Sequence, residues 1–144
     1  MHCFTGGVRE CERALELGLL ISLSGISTFK SARELRAAIP MIPSDRLLIE
    51  TDSPFLAPHP HRGERNEPSF VVDVAHEVAA LRGESLESLA ESTQENTRAL
   101  FKLPPPLTDR AFSSVSAVSS TNATQPAYSP APQRSSRSPL GERP

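Results

Sequence analysis

Net charge is nearly absent from this sequence: fifteen basic residues against seventeen acidic ones leave −2 at neutral pH. That balance does not mark a strongly basic nucleic-acid binder, whose affinity rests on many phosphate contacts. Cysteine is equally scarce. Cys3 and Cys11 stand eight positions apart, which fits no zinc-binding spacing. Cys11 falls on an apolar helical face and reads as a buried free thiol. No apolar run approaches the roughly 20 residues that a membrane helix needs. No secretory signal pattern is recognisable either. These absences point to a soluble protein of the reducing cytoplasm, with no membrane partner.

What is present is unevenly spread. Eight of the fourteen prolines lie from Pro104 onward, among many serines and apolar residues without a period. Such a segment cannot bury enough surface to order itself. Residues 104–144 are therefore expected to form a low-complexity, disordered tail of net charge +2. The folded unit is expected over residues 1–103, at net −4, enough chain for one real core.

Within that unit strand and helix signals alternate. His2–Thr5 reads as a strand end, followed by a Gly6-Gly7 turn. Val8, Cys11, Ala14 and Leu15 recur at helical spacing up to Gly18, a good helix-stop residue. Leu19–Leu23 predicts a second strand, closed by Ser24-Gly25. Ser31–Ile39 predicts a helix stopped by Pro40. Leu47–Thr51 predicts a third strand and Asp52–Glu67 a long loop carrying prolines. Pro68 suits the first turn of the next helix, whose apolar face runs from Phe70 to Leu81 and ends at Gly83. Glu67 stands where an acid favours that helix start. Ser85 caps a last helix, with Leu86, Leu89, Ala90, Thr93, Leu100 and Phe101 turned inward. Strands alternating with helices argue for an α/β fold with a parallel sheet. Three parallel strands alone leave both edges unpaired, an aggregation liability. The simplest resolution is the later part of a larger α/β barrel.

The chain is organised around Leu47–Pro54, L-L-I-E-T-D-S-P. Three apolar residues signal a short buried strand, three polar ones follow at once, and Pro54 stops any continuation. In a parallel α/β fold an acidic strand end is expected where the C-terminal end of the sheet opens into a site. Glu50 and Asp52, two apart, face the same side of a strand. The plainer alternative is a strand running into a solvated loop, with Asp52 and Ser53 in an Asx-type turn.

H-C-F-T-G-G at His2–Gly7, S-L-S-G-I at Ser22–Ile26, L-L-I-E-T-D-S-P at Leu47–Pro54 and R-N-E-P at Arg65–Pro68 together resemble the TatD family of metal-dependent deoxyribonucleases, built on a TIM-type barrel. The likeness covers about Met1 to Leu103. It implies an α/β, partial TIM-type (β/α) barrel: the last three strands with outer helices, lacking the N-terminal half of the barrel. Met1 directly before the histidine motif is what an internal methionine taken for a start would give. The family's sixth-strand metal-binding histidine matches His2, and its eighth-strand aspartate matches Asp52. Its other ligands have no counterpart. His59-Pro60-His61 has the letters of the family's H-x-H pair but lies in the proline-rich loop, and His76 reads as an exposed helix residue.

The resemblance implies divalent metal ions, Zn, Mn or Mg, and DNA as substrate of the intact enzyme. Hydrolysing a phosphodiester needs a metal to make a hydroxide near neutral pH and to stabilise phosphoryl charge. His2 and Asp52 would be metal ligands, with Asp52 also the general base. Glu50, one pleat deeper, would support them. Arg62, Arg65, Asn66 and Lys30 would contact phosphates, as basic and amide side chains do; the alternative is a solvated loop whose charges prevent sticking. With so few ligands left, the chain is expected to be inactive alone. The alternative function is a non-catalytic remnant or a module binding nucleic acid or another partner.

Overall fold

The structure, a computed structural model, describes residues 1–104. The tail expected at 104–144 lies, Pro104 apart, outside the described residues.

Helices form where apolar residues recur every three or four positions. Helix α1 (Val8–Glu16) buries Cys11 and Ala14. Its start is closed by Glu10, whose Oε2 accepts the Gly7 N–H at 3.0 Å, and Gly18 leaves it at φ 75°. Strand β1 (Ile21–Leu23) follows, fully buried. A 3-10 turn at Gly25–Thr28 leads to helix α2 (Arg33–Ala38), shorter than the expected Ser31–Ile39. Pro40 sits inside a second 3-10 turn, Ile39–Met41, so the helix tightens before it stops. Strand β2 (Leu47–Ile49) is followed by the long loop. Pro68 opens a 3-10 turn at Pro68–Phe70 that runs into α3 (Val71–Arg82), which ends at Gly83 with φ 69°. Glu67 makes no capping hydrogen bond there, contrary to expectation. Helix α4 (Leu86–Phe101) is capped by Ser85, whose Oγ accepts the Ser88 N–H at 3.1 Å. No helix among the described residues is long and apolar enough to cross a membrane.

The two strands pair in parallel, Ile21 with Leu47 and Leu23 with Ile49, as the alternation predicts. The first strand, expected to end at His2–Thr5, is a correction. Met1–Phe4 runs along the other edge of β1: the Ser22 N–H donates to the Met1 carbonyl at 2.9 Å, and the Phe4 N–H donates to the Ser22 carbonyl at 3.0 Å. A parallel ladder places those two partners two residues apart, not three. The extra residue is Cys3, at φ 45°. It bulges out of the ladder, as single insertions do, and the segment is not a regular strand.

The core lies on one face of this sheet. Ile21, Leu23 and Leu47 pack with Cys11, Leu35, Ile39, Val74, Val78 and Leu89 from all four helices and the connecting turn. Polar side chains brace it. The Arg36 guanidinium bonds the Ser27 carbonyl at 2.9 Å and pairs with Glu77 at 2.5 Å. Leu100 and Phe101 are not turned inward: they are 47 % and 64 % exposed, and Ala90 is exposed as well. Leu100 and Phe101 lie beyond the last buried turn of α4, and Ala90 lies off its inward face, whose buried positions are Leu89 and Thr93.

Candidate metal centre

Residues two apart on a strand share a face, so the face opposite the helical core carries Ser22, Leu48 and, past the end of β2, Glu50. These line an open groove of about 390 Å³ with Met1, His2, Thr97 and Leu100. At its head three donor side chains from two distant stretches converge. One nitrogen or oxygen each from His2, Glu50 and Asp52 lies within 4.8 Å of the others. His2 comes from the bulged edge segment. Glu50 and Asp52 come from the C-terminal end of β2, continued by a 2.9 Å bond from the Glu50 N–H to the Leu23 carbonyl.

Four of the six nitrogen and oxygen atoms of this cluster are held by a named partner. Glu50 Oε1 lies 2.7 Å from His2 Nδ1 and accepts the Cys3 N–H at 2.6 Å. Glu50 Oε2 accepts the Ser22 hydroxyl at 2.7 Å. The bulge at Cys3 turns that amide out of the ladder and onto the carboxylate. The Cys3 thiol reaches Asp52 Oδ2 at 3.2 Å and Ser24 Oγ at 3.5 Å. His2 Nε2 is left 3.8 Å from Asp52 Oδ1, with the imidazole 75 % exposed and the Asp52 side chain 13 %. The Glu50 hydrogen bond and negative charge raise the His2 pKa above its ordinary value of 6.5, with a smaller push from Asp52. Burial raises the Cys3 thiol, and the neighbouring Asp52 and Glu50 charges act in the same direction.

This donor set fits a divalent cation. Two ligands of one ion, each on an arm of about 2.0–2.2 Å, stand some 3–4 Å apart, which matches His2 Nε2 and Asp52 Oδ1. A ligating histidine commonly hands its other ring nitrogen to a carboxylate, which fixes ring orientation. Glu50 stands in that relation to His2 Nδ1.

The other candidates separate. Asn66 is buried, 2 % exposed. Its Nδ2 donates to the Phe55 carbonyl at 2.6 Å and its N–H to the Pro54 carbonyl at 3.1 Å. It holds the loop from inside, which corrects its assignment to phosphate contact. Arg62 is engaged internally, with Nη1 on the Ala57 carbonyl at 3.2 Å and its guanidinium 3.8 Å above the Phe29 ring. Lys30 and Arg65 are exposed. His61 stacks on Phe70 at 3.8 Å between Glu64 and Asp73, and His76 is exposed. Sequence reasoning missed Ser22 and Cys3 as partners of the carboxylates. A serine inside the buried run Ile21–Leu23 was the available signal for the first.

A histidine and two carboxylates thus gather at the strand ends of a parallel α/β unit. Residues 1–102 match the family described as TatD related DNase, and the chain belongs to it. It is 50 % identical over 103 residues to the uncharacterized metal-dependent hydrolase YcfH of Escherichia coli, covering 72 % of this chain and 39 % of that protein. It is 45 % identical over 108 residues to a 3'-5' ssDNA/RNA exonuclease TatD of Erwinia amylovora, covering 72 % and 42 %. Among solved structures it resembles YJJV, a TatD homologue of Escherichia coli, with TM-score 0.68 and 32 % identity over 72 % of this chain and 40 % of that one. The chain thus spans about two fifths of the relatives it matches.

Proposed function

We propose that residues 1–103 are the later part of a TatD-type barrel and supply the His2–Asp52 side of a metal-dependent nuclease centre that acts on nucleic-acid phosphodiesters. The observation that carries this reading is the convergence of His2 and Asp52, fifty residues apart in sequence, at the C-terminal end of a parallel sheet, where barrel enzymes keep their sites. The name of the Erwinia relative supports a nucleic acid as substrate. A bound divalent ion would supply an acidic water and a counter-charge for the phosphoryl oxygens.

This chain's own residues do the rest. Glu50 fixes the His2 ring through Nδ1 and leaves Nε2 free to donate. Ser22 and the Cys3 amide hold Glu50 in turn. Asp52 keeps Oδ1 toward the same space while its Oδ2 takes the Cys3 thiol. A carboxylate so placed can accept a proton from an attacking water. The second reading, nucleic-acid binding without turnover, draws on the commitment of Glu50 to His2, Ser22 and the Cys3 amide, which leaves His2 and Asp52 as the free donors of the cluster.

Exchanging the matching 103 residues of YcfH for residues 1–103 gives a complete protein in which to test the first reading. That chimera should cleave single-stranded DNA with added manganese, and both Asp52→Asn and His2→Ala should lower the rate by about a hundredfold or more. A well-folded chimera whose cleavage ignores both substitutions would refute the assignment.

A further inference from the structure

The loop after Asp52 contains a feature that the metal centre does not use. Phe55 is 71 % exposed, the most exposed large apolar side chain among the described residues, and Leu56 beside it is 38 % exposed. Single exposed apolar residues are ordinary. This one is held out by a rigid scaffold. The Phe55 N–H bonds the Asp52 carbonyl at 2.7 Å, so the ring stands one tight turn from a carboxylate of the donor cluster. The Phe55 carbonyl is gripped by the buried amide of Asn66 at 2.6 Å.

Leu56 adopts φ 56°, a left-handed backbone that costs a branched residue free energy. Its carbonyl presses so close to Gly25 that a Cβ there would lie 2.2 Å away. Farther along, the His59 N–H bonds Thr28 Oγ1 at 2.9 Å. A backbone strained and pinned at this many points, with an aromatic ring left in water at its tip, has spent folding free energy on presentation.

Resting on the nuclease reading above, we propose that Phe55 is a specificity-determining residue: its ring stacks on the base of the nucleotide whose phosphate sits at His2 and Asp52. Every base offers a π face, so such a contact tolerates any sequence. It requires an unpaired base, and so selects single strands over duplex. The ring adds no charge, which suits a chain of net −2 that cannot rely on a broad basic surface. Phosphate held through a divalent cation at the donor cluster and base held by Phe55 would together fix one nucleotide at both ends.

The test uses the full 144-residue chain with added manganese, and phosphorothioate DNA single strands that resist cutting. These carry the fluorescent base 2-aminopurine at the 3′ end in one probe and the 5′ end in another. Binding should quench one of the two. Phe55→Ala should abolish the quench and weaken binding about tenfold, within the range for loss of one base–aromatic stack, whereas Phe55→Tyr should retain both. An abasic residue in place of the quenched base should bind the unchanged chain as weakly as the intact probe binds Phe55→Ala. Quenching and affinity unaltered in Phe55→Ala would overturn this proposal and leave the nuclease reading standing. Failure of the unchanged chain to bind either probe, while the YcfH chimera still cleaves through Asp52, would also overturn it alone; failure of both would remove both readings. The thermal midpoint of Phe55→Ala should match that of the unchanged chain. A large drop would show that the ring packs in the fold, and would equally sink the proposal.

Discussion

The two nitrogens of His2 meet different fates. Nδ1 faces Glu50 at 2.7 Å, and Nε2 faces Asp52 Oδ1 at 3.8 Å. Because Glu50 raises its pKa above 6.5, the favourable ion pair is fully present below that value and fades as pH rises through the raised one. A cation at Nε2 runs the other way, since it competes with the proton. Proton NMR of the imidazole should therefore show His2 titrating above 6.5. Glu50→Gln should bring it back toward 6.5, and zinc affinity should climb as pH passes through the His2 midpoint. An imidazole that titrates at 6.5 or below in the unchanged chain would break the link to Glu50. Asn66 teaches a different lesson at this scale. In sequence it is a polar residue between charged neighbours in a loop, and such residues are usually solvated. Its burial follows from the loop folding back on Pro54 and Phe55, a long-range event with no local signature.

Arg82 shows how one side chain can join elements that sequence patterns treat separately. It closes α3, is only 9 % exposed, and pairs with Glu84. Its guanidinium reaches the Ile42 carbonyl at 2.5 Å, the Ile39 carbonyl at 3.3 Å and Ser44 Oγ at 3.0 Å. It thereby satisfies the turn that replaces the end of α2. Arg82→Met keeps much of the apolar stem but strands the Ile42 carbonyl, while the Ile39 carbonyl keeps the Ile42 N–H at 3.3 Å; a buried unsatisfied group costs about 1–3 kcal/mol. Urea unfolding should show a loss of about 2 kcal/mol or more, where a purely surface role predicts under about 0.5 kcal/mol. The helices themselves were legible because their signals are local: apolar period, Gly18 and Gly83 at left-handed stops, Ser85 as a cap. The parallel pairing of β1 with β2 was legible from the alternation of strand and helix. The edge segment was not. Its bulge at Cys3 answers to Glu50, forty-seven residues away, and nothing near Cys3 announces it.

At the scale of the molecule, the face that bears the candidate site is also the face that the other described residues leave open. The groove beside His2 and Glu50 continues onto Leu100 and Phe101, while Met1 and Leu103 are about half exposed. Among the described residues β2 pairs with β1 alone. Exposed apolar patches of this kind in soluble proteins mark surfaces that another chain segment or partner covers, and the TatD relatives are about two and a half times as long as the matched stretch. His2 and Asp52 were singled out from short motifs; the partners that hold the carboxylates, Ser22 and Cys3, were not, since they lie twenty-eight residues from Glu50 and forty-nine from Asp52 in sequence. A catalytic zinc site ordinarily takes three protein ligands and an open position. With Glu50 committed to His2, Ser22 and the Cys3 amide, the described residues offer two. By itself the 144-residue chain should therefore cleave single-stranded DNA at least a thousandfold more slowly than full-length YcfH under matched metal and protein concentrations, roughly the cost of losing about 4 kcal/mol of transition-state stabilisation. The same preparation should self-associate in sedimentation as its concentration rises, through the uncovered groove face, and Phe101→Glu should reduce that association. Metal-dependent cleavage near the YcfH rate, abolished by Asp52→Asn, would show that two ligands with Glu50 behind them suffice, and would release the open face from any role in completing the centre.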